Sequence, residues 1–334
     1  MACSVTLGTW SQRRDSDTVL PLLRMLESCI SIEEFDLCDR SEWRQTDIVT
    51  SSITVCLPKL RRLSLDNPLS STALQLLNHL TLPVLVSSFI TGTSAPGLNM
   101  PSGFMSVYDS CHVDMSDGYI CAGFTCSTNT TLSTDVHLRV PTAEMMSNSF
   151  ETFRSVFQSA FALLSSINLG FTYGPHAYPT KAWMEFLENL PNLHEFTLRD
   201  LLCTDSCDQS AINILHSLSS DRMSTGEHYC PLLRSVTLVN ISVKRVTHTV
   251  MEDKMIYAST EDGVVGSSAP EAANVRDSLL ACVMSRSSKD GRLQKLDISG
   301  CQDVDEPLLM GLAPFADEVL PNSPSVRDLK NDFN

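Results

Sequence analysis

The chain has 334 residues, with 24 Lys and Arg against 39 Asp and Glu and a formal net charge of −15. Cationic surface is what releases counterions from phosphates, so this balance disfavours nucleic acid and anionic membrane as partners. Hydrophobic residues make up 43% and charged residues 19%, which rules out global disorder and can supply one large core or two ordinary ones.

Residues 1–17 read as an N-terminal leader. Met1 to Trp10 is uncharged and Arg13-Arg14 stop any apolar continuation, so no secretory signal is expected. The 12 cysteines are then expected as reduced, mostly buried thiols of a cytoplasmic or nuclear protein. Apolar residues at three- and four-residue spacing predict a helix over 18–29. Ile32, Phe35 and Leu37 follow as a strand with the pattern apolar-x-x-apolar-x-apolar. The same pattern returns at Leu60-Leu63-Leu65, after which a helix is predicted over 72–80. A degenerate copy begins at Leu85, with Ser88 in an apolar place. The stretch from 91 to 160 is read as irregular, with an insertion near 91–135 and room for two hidden units whose strands would lie near 107–113 and 136–140. A helix is expected over 149–164, then strands at Leu164-Ile167-Leu169 and Leu193-Phe196-Leu198 with a helix over 180–190 between them. Another helix over 209–218 precedes Leu233-Val236-Leu238. A second insertion spans 239–275, followed by a helix over 275–285 and the last copy, Leu293-Leu296-Ile298. Residues 313–334, with Pro314, Pro321 and Pro324, read as a polar tail. The apolar stretches around 82–90 and 157–171 are broken by Pro83, Ser159, Ser165 and Ser166, well short of the roughly 20 residues a membrane span needs.

Six copies of one short pattern make repetition the organising feature. Starts lie 28 residues apart between 32 and 60, and 29 apart between 164 and 193, within the 20–29 residues of a leucine-rich unit. Pro58, Pro191 and Pro231 stand just ahead of three copies, where proline ends a helix and admits an extended strand. The last copy continues through Cys301, Val304, Asp305, Leu308 and Leu312. In this it resembles the cysteine-containing, ribonuclease-inhibitor-like leucine-rich repeat of F-box proteins, above all the fungal type, and "LPNLHEFTLRD" and "CPLLRSVTL" have the same character. The resemblance implies an α/β leucine-rich-repeat solenoid over 18–312, a horseshoe with parallel strands on the concave face and helices on the convex face. It also implies the substrate-recognition part of a cullin–RING ubiquitin ligase receptor, in which an F-box docks a Skp-type adaptor and the repeats bind a protein substrate. Residues 1–17 carry no F-box signature, so an F-box-less relative is the companion expectation. A leucine-rich scaffold or inhibitor unrelated to ubiquitin is the alternative.

In such a solenoid the residues between the buried apolar positions face outward along the strands. The partner-binding set is then Glu34, Asp36, Arg62, Ser64, Asp66, Asn168, Glu195, Thr197, Arg199, Thr237, Lys295 and Asp297. Arg62 with Glu34, and Arg199 with Glu195, read equally as surface pairs that aid solubility. No enzyme is expected, since G-x-S-x-G, Walker, G-x-G-x-x-G and H-E-x-x-H motifs are all missing. Asp109, His112, Asp114 and Asp117 cluster in the irregular region and form the enzyme alternative. No cofactor is expected either. The best zinc candidate, Cys203 and Cys207 with His228 and Cys230, lacks C-x-x-C spacing and reads as turn and core residues.

Overall fold

All three apolar residues of each of the six pattern copies are buried, from Ile32, Phe35 and Leu37 to Leu293, Leu296 and Ile298. Between them the strand side chains are half-buried or exposed, as in Glu34–Cys38, where half-buried Glu34, Asp36 and Cys38 alternate with buried Phe35 and Leu37. Successive strand residues point to opposite faces, so among the described residues one face of the sheet meets the core and the other is left uncovered. The structure, a computed structural model, describes residues 4–7, 20–38, 53–69, 76–93, 100–116, 119–139, 148–171, 179–200, 206–222, 226–243, 274–288 and 291–320.

The elements run β1 (Ser4–Leu7), α1 (Leu20–Glu27), β2 (Glu34–Cys38), β3 (Val55–Cys56), β4 (Arg62–Leu69), β5 (Leu80–Thr81), β6 (Ser87–Thr93), α2 (Ser102–Met105), β7 (Ser110–Ser116), β8 (Tyr119–Cys126), β9 (Asn129–Arg139), α3 (Asn148–Phe161), β10 (Ser166–Phe171), α4 (Thr180–Glu188), β11 (Glu195–Asp200), α5 (Ser206–Ser219), β12 (Ser235–Ser242), α6 (Val275–Ser287), β13 (Leu293–Gln302), α7 (Glu306–Leu312) and β14 (Ala316–Leu320). Twelve strands form one mostly parallel sheet in the order β1-β2-β4-β6-β9-β8-β7-β10-β11-β12-β13-β14, while β3 and β5 pair separately. The chain is therefore α/β. Helices α4, α5 and α6 pack side by side, and one continuous core joins helix and strand residues from Leu22 to Ala316. Its centre is aromatic: Phe150, Phe153, Phe161, Trp183 and Phe186 lie with ring centroids 4.4 to 6.1 Å apart in contacting pairs.

Three boundaries differ from the expected ones. The leader contains β1, which pairs in parallel with β2 because Val5 and Leu7 alternate onto the core. The tail contains β14, held to β13 by burial of Ala316 and by Arg292, which donates to the Ala316 carbonyl and pairs with Asp317 at 2.9 Å. The described residues of the insertion near 91–135 are not irregular. β7, β8 and β9 form an antiparallel meander whose outer members are parallel to β10 and β6. The chain thus leaves β6, skips two strand positions, and works back to it before crossing to β10. Of the second insertion, β12 and Val243 are described, and residues 244–273 lie outside the described residues. Pro179 occupies the N-cap of α4 without a side-chain bond.

Two local devices explain places where the pattern changes. Ser88, the polar residue in an apolar row, is buried and bonded to Thr134 Oγ1 at 2.7 Å, and Thr134 also meets the Tyr108 hydroxyl. Three hydroxyls thereby satisfy one another inside the core, and burial pushes the Tyr108 phenol up. In the last unit the Cys301 thiol donates to the Leu238 carbonyl at 3.3 Å. Asp305 accepts from the Leu308 amide at 2.8 Å as the N-cap of α7, the standard use of a short carboxylate at a helix start.

Candidate functional site

The strand registers align the outward side chains of the uncovered face into three rows. The first carries Ser4, Glu34, Arg62, Ser87 and Ser133, and beyond the meander Ser166, Glu195, Ser235 and Lys295. The second carries Asp36, Ser64, Phe89 and Asp135, then Gly123, His112, Asn168, Thr197, Thr237 and Asp297. The third carries Cys38, Asp66, Thr91, His137, Cys121, Asp114, Gly170 and Arg199. All twelve residues expected from the sequence fall on these rows. The meander divides them into a β2–β4 group and a β10–β13 group.

At the junction of β7, β10 and β11, Arg199 is the hub. Its Nε donates to Asn168 Oδ1 at 2.8 Å and its Nη2 to Asp114 Oδ1 at 2.8 Å. Nη2 also lies 2.8 Å from His112 Nε2, and Asp114 Oδ2 lies 3.2 Å from the same nitrogen. A lone pair on Nε2 accepts from Arg199, whereas a proton there donates to Asp114. Glu195, the partner expected for Arg199, is not the one it takes, because Asp114 stands on the neighbouring register across Gly170. Arg62 does pair with Glu34, at 3.2 Å with both side chains well exposed, a geometry worth little in stability. Lys295 pairs with Asp297 at 3.7 Å, and Asp297 also accepts from the Ser299 amide and hydroxyl.

The meander supplies the residues that were not anticipated: Phe89 at its border, then Asp135, His137 and Cys121. His137 Nδ1 lies 3.7 Å from Cys121 Sγ, and its ring is 5.1 Å from that of Phe89. Burial, with the Asp114 carboxylate adding to it, pushes the Cys121 thiol up. It stays protonated at neutral pH, the reverse of what a thiolate nucleophile needs. The period-two alternations His112-Val113-Asp114-Met115 and Asp135-Val136-His137-Leu138 were the available signal, and only the strand order brings them between β6 and β10.

A hollow of about 570 Å³ opens where these strands begin, lined by Asp109, Cys126, Ser127, Ser166, His194 and Glu195 among others. Asp109 accepts from the Ser127 amide at 2.8 Å and from its hydroxyl, so this acid closes the β8–β9 turn. The Thr128 hydroxyl, 3.0 Å away, lowers the Cys126 thiol pKa. No hydrogen bond joins Cys126 to His194 among the described residues. Asp117 and Cys203 lie outside the described residues. His228 is engaged by Asp221 at 3.0 Å and the Ser285 carbonyl at 3.2 Å, and the Cys230 thiol faces the Leu187 carbonyl at 3.5 Å. Among the described residues, no three His, Cys, Asp or Glu converge as metal ligands, and no helix is long and apolar enough to cross a membrane. Compared with protein-family models, with characterised proteins and with solved structures, the chain matches none of them.

Proposed function

We propose that this chain is a protein-binding module of the leucine-rich-repeat type, a horseshoe whose concave face is the uncovered, polar side of the sheet. The single observation that carries the reading is the registration of twelve sequence-derived positions in three continuous rows across that side. A parallel sheet is ordinarily covered on both faces, and one kept polar on one side offers a long continuous surface of the kind repeat proteins use for partners. Pairing of Arg199 with Asp114 and Asn168 holds part of that surface in a fixed conformation, which lowers the ordering cost of binding.

Within this reading the chain is the substrate-recognition part of an F-box-type ubiquitin ligase receptor, or an F-box-less relative, acting in the cytoplasm or nucleus without catalysis of its own. Support comes from the resemblance of the Leu293–Leu312 unit, where Cys301 is buried against a carbonyl and Asp305 caps the next helix. The test is affinity capture of the tagged chain from its own cells with quantitative mass spectrometry. A Skp-type adaptor and a cullin in near-stoichiometric amount are expected. Recovery of other proteins without either would leave a scaffold or inhibitor with no ligase role.

A further inference from the structure

The β2–β9 half of the uncovered face differs in chemistry from the rest. Phe89 stands there 41% exposed, in a row that otherwise presents Asp36, Ser64 and Asp135. An aromatic side chain kept in water amid polar neighbours is the kind of residue that anchors a partner. Ser64 separates Asp36 from Phe89, and its small side chain leaves a hollow of about 390 Å³ whose wall includes Glu34, Asp36, Arg62, Phe89 and Asp135. Asp36, Asp66 and Asp135 have no cationic partner among the described residues. Asp66 accepts from Thr91 at 2.5 Å and from the Cys38 thiol at 3.6 Å, and Arg62 is held by Glu34. Elsewhere on the face the carboxylates of Asp114 and Asp297 do meet cations, Arg199 and Lys295.

We propose that this hollow receives a basic side chain of the partner polypeptide, laid over Phe89 and reached by Asp36 and Asp135. The inference rests on the reading of the uncovered face as protein-binding. The electron-rich ring face and the carboxylates attract the same charge and repel an anionic ligand. Arginine suits the site better than lysine, since a planar guanidinium stacks on the ring while its edge donates to carboxylates. The net charge of −15 steers such a partner inward at low salt.

The test is selection from an immobilised array of short randomised peptides, each with one fixed central residue, using the purified full chain. Arg is expected as the preferred central residue, followed by Lys. Phe89→Leu and the double variant Asp36→Asn/Asp135→Asn should each weaken the selected peptides about tenfold, and Phe89→Tyr should not. Glu188→Gln/Glu306→Gln, which removes two charges from exposed sites on α4 and α7, should leave binding unchanged. Of the five substituted residues, Phe89, Asp135, Glu188 and Glu306 are exposed and Asp36 is half-buried, and circular dichroism with thermal midpoints verifies folding. Selection of a non-basic central residue, with binding blocked by Thr197→Arg, would overturn the proposal and leave the binding face intact. Weakening by the α4/α7 variant equal to that by Asp36→Asn/Asp135→Asn would overturn it as bulk charge. Selection indifferent to every substitution on the face would overturn both.

Discussion

Burial raises the Cys301 thiol to about 12 from an ordinary 9.0, and Cys230 likewise to about 12. A raised folded-state value means that the stabilising contribution is complete below pH 9 and is lost as pH climbs toward 12. For one such thiol the loss reaches about 1.4 kcal/mol at pH 10. Urea unfolding followed from about pH 8 to about pH 10 should therefore show Cys301→Ala less alkali-sensitive than the natural chain by that amount. An identical alkaline fall in both would mean that the thiol ionises freely in the folded state. Side chains on the uncovered face divide in how readily sequence exposes them. Glu195, Thr197 and Arg199 could be read directly because they alternate with Phe196 and Leu198 inside a recognisable copy. His112, Asp114 and Asp135 alternate just as cleanly, but a local alternation does not say which strand lies alongside, so the Arg199–Asp114 pair was hidden.

Arg286 shows how neighbouring elements are tied. Fully buried on α6, it donates from Nη1 to the Leu218 carbonyl near the end of α5 and to the Tyr229 carbonyl, each at 3.1 Å, and from Nη2 to the Cys230 carbonyl at 2.8 Å. Burial lowers its pKa, yet three carbonyl dipoles, one at a helix C-terminus, compensate the charge. A lysine cannot reproduce that fork, so Arg286→Lys should cost about 2–4 kcal/mol through carbonyls left without donors. Chemical unfolding measures it, and a cost below about 0.5 kcal/mol would show that other donors replace the guanidinium. Strands β1 and β14 escaped the sequence reading for a related reason. As edge strands they have one neighbour each, so Val5, Leu7 and Val319 are only partly buried and need no strong apolar run.

The reversal of strand order between β6 and β10 is the feature that repetition alone cannot foretell. Parallel and antiparallel strands share the same alternation, so strands near 107–113 and 136–140 could be expected as two further units. β8, with Ile120, Ala122 and Phe124 inward, instead turns them into one meander. On the proposed binding face the consequence is continuity: the β2–β4 and β10–β13 groups are joined by Phe89, Asp135, His137, Cys121 and His112 into one surface. A protein partner on that surface should be displaced by bulk placed on it and be indifferent to bulk on the helices. Affinity capture comparing the natural chain with Thr197→Arg/Thr237→Arg, which fills the second row, and with Gln158→Arg on α3 tests this most directly. The account predicts that specific partners vanish with the double substitution and persist with Gln158→Arg. Partners that persist with the first, or are lost only with the second, would contradict it and move recognition to the helical side.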